Sequence, residues 1–248
     1  MTNGASTPEG WIEVDLHVHT DSSYDSMTAV EGLVKTSVRI GLSAIGITDH
    51  ESFGGCERLE KGDLGKGFLI VNGEEIRTEV GDVIGLFLHS GIKSRTVMDV
   101  IDEVHSQGGI TMLPHPYRSH SWEMINEEVL DGIDIIEGYN GRTDERLNLE
   151  ALNLAKKLGK PVMANSDSHF WPEVGRCRTI LRCDADVEEL KRAVLVGTRD
   201  FRISNPLRTM KYLSTLLGSS REKPLLGRAR AVVTLPFVKA KKVVRGLE

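Results

Sequence analysis

The stretch Trp11-Ile-Glu-Val-Asp-Leu-His-Val-His-Thr20 decides how the rest of the chain is read. Its first half, Trp11–Leu16, alternates apolar and polar side chains as a strand does. It then ends in side chains that can bind a metal. On an extended chain residues two apart point the same way, so His17 and His19 can grip one ion together. Asp15 would share that side one step deeper and could orient a histidine from behind. An isolated HxH is usually structural, so its weight depends on whether such donors recur.

Working outward, apolar strand-like runs alternate with helical patterns. Strands are expected at Trp11–Leu16, Ala44–Thr48, Phe68–Asn72, Asp82–Leu88, Ile110–Leu113, Ile133–Glu137, Pro161–Ala164 and Arg178–Leu181. Helices are expected at Ala29–Ile40, Val97–Gln107, Arg146–Leu158 and Val187–Val196, with Gly41, Gly108–Gly109, Gly159 and Gly197 just past their last turns. This alternation points to βαβ units around a parallel sheet, closed into a barrel. The chain has 248 residues, a length that such barrels reach as a single domain. The barrel is expected to span 11–206, followed by a short basic C-terminal extension, 207–248.

Composition narrows the function classes. No run approaches the ~18 apolar residues of a membrane span. Met1 to Gly10 is small and polar, without the basic start and apolar core of a signal peptide. Cys56, Cys177 and Cys183 form no CxxC pair and suggest no disulfide framework, so a reduced cytoplasm is the expected compartment. From Asn205 to Glu248, ten Lys/Arg against two Asp/Glu give the tail +8, so the remainder of a chain of net charge −5 carries −13. Carboxylates gathered at a metal site would account for part of that acidic excess. The tail reads either as a solvated amphipathic extension or as a surface for an anionic partner such as nucleic acid.

Donor side chains recur where the expected strands end. Asp49-His50 follows the second strand, Glu74-Glu75 the third, His115 the fifth, and Asp167-Ser-His169 the seventh. Strand ends converge on the catalytic face of an α/β barrel, so core packing alone does not explain five such clusters. Imidazole mixed with carboxylate suits Zn, Mn or Fe better than Ca or Mg alone. His105 sits in mid-helix and reads as a surface residue. His120 could touch substrate or be incidental.

Together, Asp15-Leu-His-Val-His-Thr20, Ile47-Thr-Asp-His50, Gly73-Glu-Glu75, Pro114-His-Pro116 and Ser166-Asp-Ser-His169 resemble the successive motifs of the PHP family, the polymerase and histidinol phosphatase domains. The resemblance covers about Trp11 to Pro206. It implies a distorted (β/α)7 TIM-like barrel carrying two or three divalent metal ions, Mn, Fe or Zn with Mg possible, and hydrolysis of phosphate esters. Carried over residue by residue, His17, His19 and Asp167 would hold a first metal and Glu75 would bridge it to a second. His115 would ligate the second, and Asp25, His50 and His169 a third. Glu75, His50 and Asp167 are the expected catalytic residues. The chain departs from the commonest pattern at Gly81-Asp82-Val-Ile-Gly85, where many relatives have a histidine. Asp82 fills that slot, and His89, seven residues on, is the second choice. The connection Ile76–Gly81 is too short for a parallel crossover, so an antiparallel hairpin should place Asp82 beside Glu75 and His89 far away.

Such a cluster can hold cations roughly 3.5–4 Å apart that share a water, lower its pKa and neutralise phosphoryl oxygens. Arg118, Arg142 and Arg176 are candidates to fork onto the substrate phosphate. Two catalytic readings are open, a phosphatase or phosphodiesterase on a small phosphorylated molecule, and a nuclease on an oligonucleotide or nucleic-acid end. A non-catalytic, metal-stabilised scaffold would be expected to have lost several ligands, yet all nine positions hold residues able to coordinate. Substrate identity and oligomeric state are left open by the sequence.

Overall fold

A computed structural model describes residues 7–60 and 67–204. The basic C-terminal extension expected at 207–248 lies outside the described residues.

Along the chain run β1 (Trp11–Val18), α1 (Val30–Arg39), β2 (Ala44–Ile47), α2 (Gly54–Glu60), β3 (Leu69–Thr78) and β4 (Gly81–Leu86). Then come α3 (Val97–Ser106), β5 (Ile110–Leu113), α4 (Pro116–Ser119), α5 (Glu127–Gly132), β6 (Ile135–Asn140) and α6 (Glu145–Leu158). The last elements are β7 (Val162–Asn165), β8 (Cys177–Arg182), α7 (Val187–Val196) and β9 (Arg199–Ile203). The strands form one sheet in the order β7-β6-β5-β4-β3-β2-β1-β8-β9. It curls until β7 returns to β1 and β8. Ser168 bridges Val18, and Thr179 Oγ1 of β8 pairs with both the N–H and the carbonyl of Ala164 in β7, at 2.9 and 3.0 Å. The result is the expected α/β architecture, a nearly closed, distorted TIM-like barrel.

The sheet is not parallel throughout. β1–β2, β2–β3, β5–β6 and β6–β7 pair in parallel. β3–β4, β4–β5, β1–β8 and β8–β9 pair antiparallel. The β3–β4 hairpin is the one expected from the short connection through Gly81. β3 runs on to Thr78, so Glu74 and Glu75 lie inside a strand rather than at its end.

Inside the barrel, Val14, Ala44, Val71, Ile84, Met112 and Met163 pack into one buried cluster. Outside it, α3 lays Val97, Val100, Ile101 and Val104 against β4 and β5, an i, i+3, i+4, i+7 stripe. Thr96 caps this helix by accepting from the Asp99 N–H. α1 and α2 cover β2 with Leu33, Cys56 and Leu59. No helix among the described residues is long and apolar enough to cross a membrane.

One irregularity positions the site. On β1, Asp15 pairs with Ile45 and Val18 with Ile47, so Leu16 and His17 together oppose Gly46 alone. Such a bulge breaks the two-residue alternation and re-aims the side chains beyond it. Leu16 stays with the interior cluster and His17 joins its side. Asp15 is left on the other face, its two oxygens accepting from the N–H groups of Ser166 and Gly175 at 3.0 and 2.8 Å. The expectation that Asp15 backs a histidine fails for this reason. The bulge needs a glycine opposite it, because a Cβ on Gly46 would lie 2.7 Å from the Leu16 carbonyl oxygen. Gly46→Ala should therefore cost about 1–3 kcal/mol, seen as a lower denaturant midpoint. An unchanged midpoint would contradict this account of the bulge.

Candidate metal centre

His17 and His19 sit fully buried at the mouth of the barrel, with their Nε2 atoms 3.1 Å apart. The second ring nitrogen of each is tied back. His17 Nδ1 lies 2.9 Å from Glu137 Oε1, and His19 Nδ1 3.1 Å from Ser23 Oγ. Ser23 in turn donates to Asp49, whose carboxylate also accepts from the Thr20 N–H and hydroxyl. His169 follows the same pattern, with Nδ1 donating to the Asp167 carbonyl and Nε2 3.0 Å from Asp25. A proton fixed on Nδ1 leaves Nε2 a lone pair aimed into the site, the form in which histidine binds metal.

Glu75 reaches into the middle. Its Oε2 lies 3.2 Å from His17 Nε2, 3.2 Å from His19 Nε2 and 3.4 Å from His50 Nδ1, while Oε1 lies 3.1 Å from His115 Nε2. Glu74 points the other way and accepts from the Ile92 N–H at 2.9 Å. Asp167 Oδ1 stands 3.4–3.5 Å from ring nitrogens of His17, His19 and His169. Three groups result, with ligand atoms all within 4.8 Å of one another: His17, His19 and Asp167; His17, Glu75 and His115; His19, His50 and His169. Asp25 joins the last of these, 3.0 Å from His169 and 3.6 Å from His50. Among the described residues four non-glycine positions have left-handed backbone, and two of them are His115 (φ 32°) and Asp167 (φ 53°). Such strain concentrates where side chains are aimed for function.

The electrostatics fit a cation site. Burial alone would raise the pKa of Glu75 and Asp167, yet His50 and His17 hold Glu75, and Arg118 and His17 hold Asp167, well below the usual carboxylate range. Burial opposes protonation of His19, but the Asp167 and Glu75 carboxylates beside it still lift it to about 9. His17 is likewise raised well above its ordinary value, by Glu137, Asp167 and Glu75 against the effect of burial. The field that draws protons onto these rings would also draw divalent cations in their place. Asp167 Oδ1 and Asp25 Oδ1 are buried without a hydrogen-bond partner, which a cation would satisfy.

The other expected residues fall differently. Asp82 lies on the Glu75 face, two rungs beyond the Glu75–Ile84 pair. Its carboxylate is taken by Arg77, at 2.9 and 3.1 Å, and by Ser119 at 3.3 Å, so it lies outside the three groups. His89 is exposed at the far end of the hairpin, its backbone N–H on Gln107. Arg118 donates through Nη1 to Asp167 at 2.6 Å and to Asn140 at 3.2 Å, with 31% of its side chain exposed. Arg142 is buried against Glu173, which also accepts from the His169 N–H, so it steadies the loop carrying His169. Arg176 donates to the Pro172 carbonyl. His105 pairs with Asp134 on the surface, as expected. Sequence reasoning missed Glu137, which holds His17 Nδ1, the His115 N–H and the Asn140 amide. Its one signal was an acidic residue at the end of an apolar strand, Ile135-Ile-Glu137.

Comparison with known proteins agrees with this geometry. Residues 15–146 match the family model described as PHP domain, and residues 145–198 the one described as PHP-associated. An uncharacterized protein of Methanocaldococcus jannaschii is 29% identical over 177 residues, covering 65% of this chain and 100% of its own length. A protein of Caldicellulosiruptor bescii named "Probable phosphatase" is 26% identical over 206 residues, covering 67% of this chain and 84% of itself. Among solved structures, a two-domain Bacteroides vulgatus protein, described as containing a predicted PHP-like metal-dependent phosphoesterase, superposes with TM-score 0.64 at 20% identity, over 80% of this chain and 67% of that one. PsfC from Pseudomonas syringae superposes with TM-score 0.61 at 16% identity, over 85% of this chain and 98% of that one. Five ordered motifs, the histidine–carboxylate centre they build and a family model matched over more than half the chain agree, and the chain belongs to the PHP domain family.

Proposed function

We propose that this protein is a metal-dependent phosphoesterase acting on a small phosphorylated molecule, a metabolite or nucleotide, within a catalytic unit spanning 11–206. The observation that carries the proposal is the set of three donor groups, the His17–His19–Asp167 group overlapping one neighbour through His17 and the other through His19. In this reading His17, His19 and Asp167 would hold one cation, Glu75 and His115 a second, and Asp25, His50 and His169 a third. Asp82 is left out of the set, because Arg77 already neutralises it. Mixed imidazole and carboxylate donors suit Mn, Fe or Zn. Divalent cations bound there would supply an activated water and neutralise charge on phosphoryl oxygens.

The chain's own side chains do the rest. Glu75 keeps four histidine nitrogens within 3.4 Å of its carboxylate and so fixes the spacing of the centre. Arg118 spends only Nη1 on Asp167 and Asn140, and the remainder of its guanidinium can fork onto a phosphate. Asp167, held ionised by Arg118, stays a carboxylate at neutral pH. Arg142 and Arg176 are not placed on the substrate, since both are bonded to the loop beyond His169.

The test is a screen of manganese-loaded protein against phosphomonoesters, phosphodiesters and short oligonucleotides at several salt concentrations. Turnover of small esters with shallow salt dependence is expected. Activity confined to oligonucleotides, with affinity falling steeply as salt rises, would favour the nuclease reading and give the basic tail a role.

A further inference from the structure

Three histidines of the centre are oriented from behind, His17 by Glu137, His19 by Ser23 and His169 by the Asp167 carbonyl. Of the other two, His50 faces Glu75 through Nδ1 at 3.4 Å and Asp25 through Nε2 at 3.6 Å, while His115 keeps one ring nitrogen unmatched. Its Nε2 faces Glu75 at 3.1 Å, yet its Nδ1 is buried with no hydrogen-bond partner. A histidine that gives Nε2 to a cation carries its proton on Nδ1, so a buried donor is left unmatched. Leaving it so is costly, and such groups normally have a partner.

The next ring along is His120, its centroid 6.0 Å from that of His115. His120 Nε2 lies 2.8 Å from the backbone carbonyl of Asp82. A carbonyl only accepts, so Nε2 bears the proton, and the neutral ring keeps a lone pair on Nδ1. That Nδ1 is also buried and without a partner. One ring thus has an unmatched donor and its neighbour an unmatched acceptor. The surroundings hold His120 in place. Gly81 has φ +128°, and a Cβ there would come within 2.5 Å of His120 Cδ2. The Asp82 carbonyl that His120 uses belongs to β4 and is held by the pairing of that strand with β3.

We propose that His120 is the positioning residue for His115, its Nδ1 accepting a hydrogen bond from one ordered water that in turn accepts from the His115 Nδ1–H, so that Asp82 contributes through its backbone carbonyl and not as a ligand. His120 therefore acts on the metal through His115. The idea rests on the metal-centre reading above and adds the element that fixes the tautomer of the second site. A partner of this kind is typically worth about 10–100-fold in metal affinity.

The experiment is imidazole nitrogen and proton NMR on the zinc-loaded full chain, paired with zinc affinity of variants. The expected spectrum shows His115 protonated at Nδ1 and His120 protonated at Nε2 with a free Nδ1. In His120→Ala the weakest-held zinc should dissociate about 10–100-fold more readily while the circular dichroism is unchanged. His120→Asn, whose carbonyl oxygen can replace Nδ1 as an acceptor, should restore most of that affinity. Gly81→Ala should reproduce the His120→Ala loss by displacing the ring. A His120 Nδ1 that carries a proton, or that couples directly to cadmium substituted for zinc, overturns the proposal. So does unchanged zinc affinity in a folded His120→Ala. Failure of the unsubstituted protein to take up zinc at all would instead overturn the metal-centre reading itself.

Discussion

Glu75→Gln is expected to lower phosphoesterase turnover on the order of 10³-fold, equivalent to about 4 kcal/mol of lost transition-state stabilisation. Its two oxygens stand within 3.4 Å of nitrogens on four histidines, so no other residue among those described links as much of the centre. The amide keeps the shape but loses the charge, and it turns one oxygen into an N–H₂ group facing lone pairs. Metal content should fall with it. Glu74→Gln is the internal control. Glu74 lies next in sequence but on the opposite face, where it accepts from the Ile92 N–H and burial lifts its pKa to about 7. A side chain that is half protonated near neutral pH loses little when made permanently neutral. Equal losses in the two variants would mean that the faces of β3 have been assigned the wrong way round.

Arg118→Ala should lower kcat/KM for a phosphate ester by about 10²-fold or more, the scale on which preorganised donors to a developing oxyanion are measured. Arg118→Lys should recover only part of this, since a point charge cannot replace the two-pronged fork. Metal content should stay close to that of the unsubstituted protein, because Asp167 retains its contacts with His17, His19 and His169. A loss of metal with no separate effect on rate would show that Arg118 serves only to hold Asp167. Unchanged kinetics would remove it from the substrate site altogether.

The sequence carried the strand ends and their donors clearly, because apolar runs and HxH spacing are local signals. His17, His19, His50, Glu75, His115, Asp167 and His169 meet in one centre as their motifs implied. The antiparallel β3–β4 hairpin was also legible, because a connection as short as Ile76–Gly81 leaves no room for a crossover. What was hidden depends on geometry that no window of residues encodes. The bulge at Leu16–His17 turns Asp15 away from the site, and its only trace is a glycine on the neighbouring strand, Gly46. β9 (Arg199–Ile203) reads as a charged stretch because it is an edge strand, half exposed along its length. α2, α4 and α5 span seven, four and six residues, too few turns to show a helical period. Asp82 reads as a ligand because it fills the slot where many relatives have a histidine and the hairpin brings it back beside Glu75. Arg77 claims it from across the hairpin, and that pairing follows from strand register rather than from sequence spacing. Arg142, one of the candidates to fork onto the phosphate, lies buried against Glu173, which also accepts from the His169 N–H.

The most direct test of the metal centre is elemental analysis of gently purified protein near neutral pH, repeated after loading with manganese and run beside Asp82→Ala and His89→Ala. Two or three equivalents of Mn, Fe or Zn per chain are expected, unchanged in either variant. A folded chain that takes up fewer than two equivalents even when supplied with metal would contradict the account. Loss of an equivalent in Asp82→Ala would return that carboxylate to the ligand set.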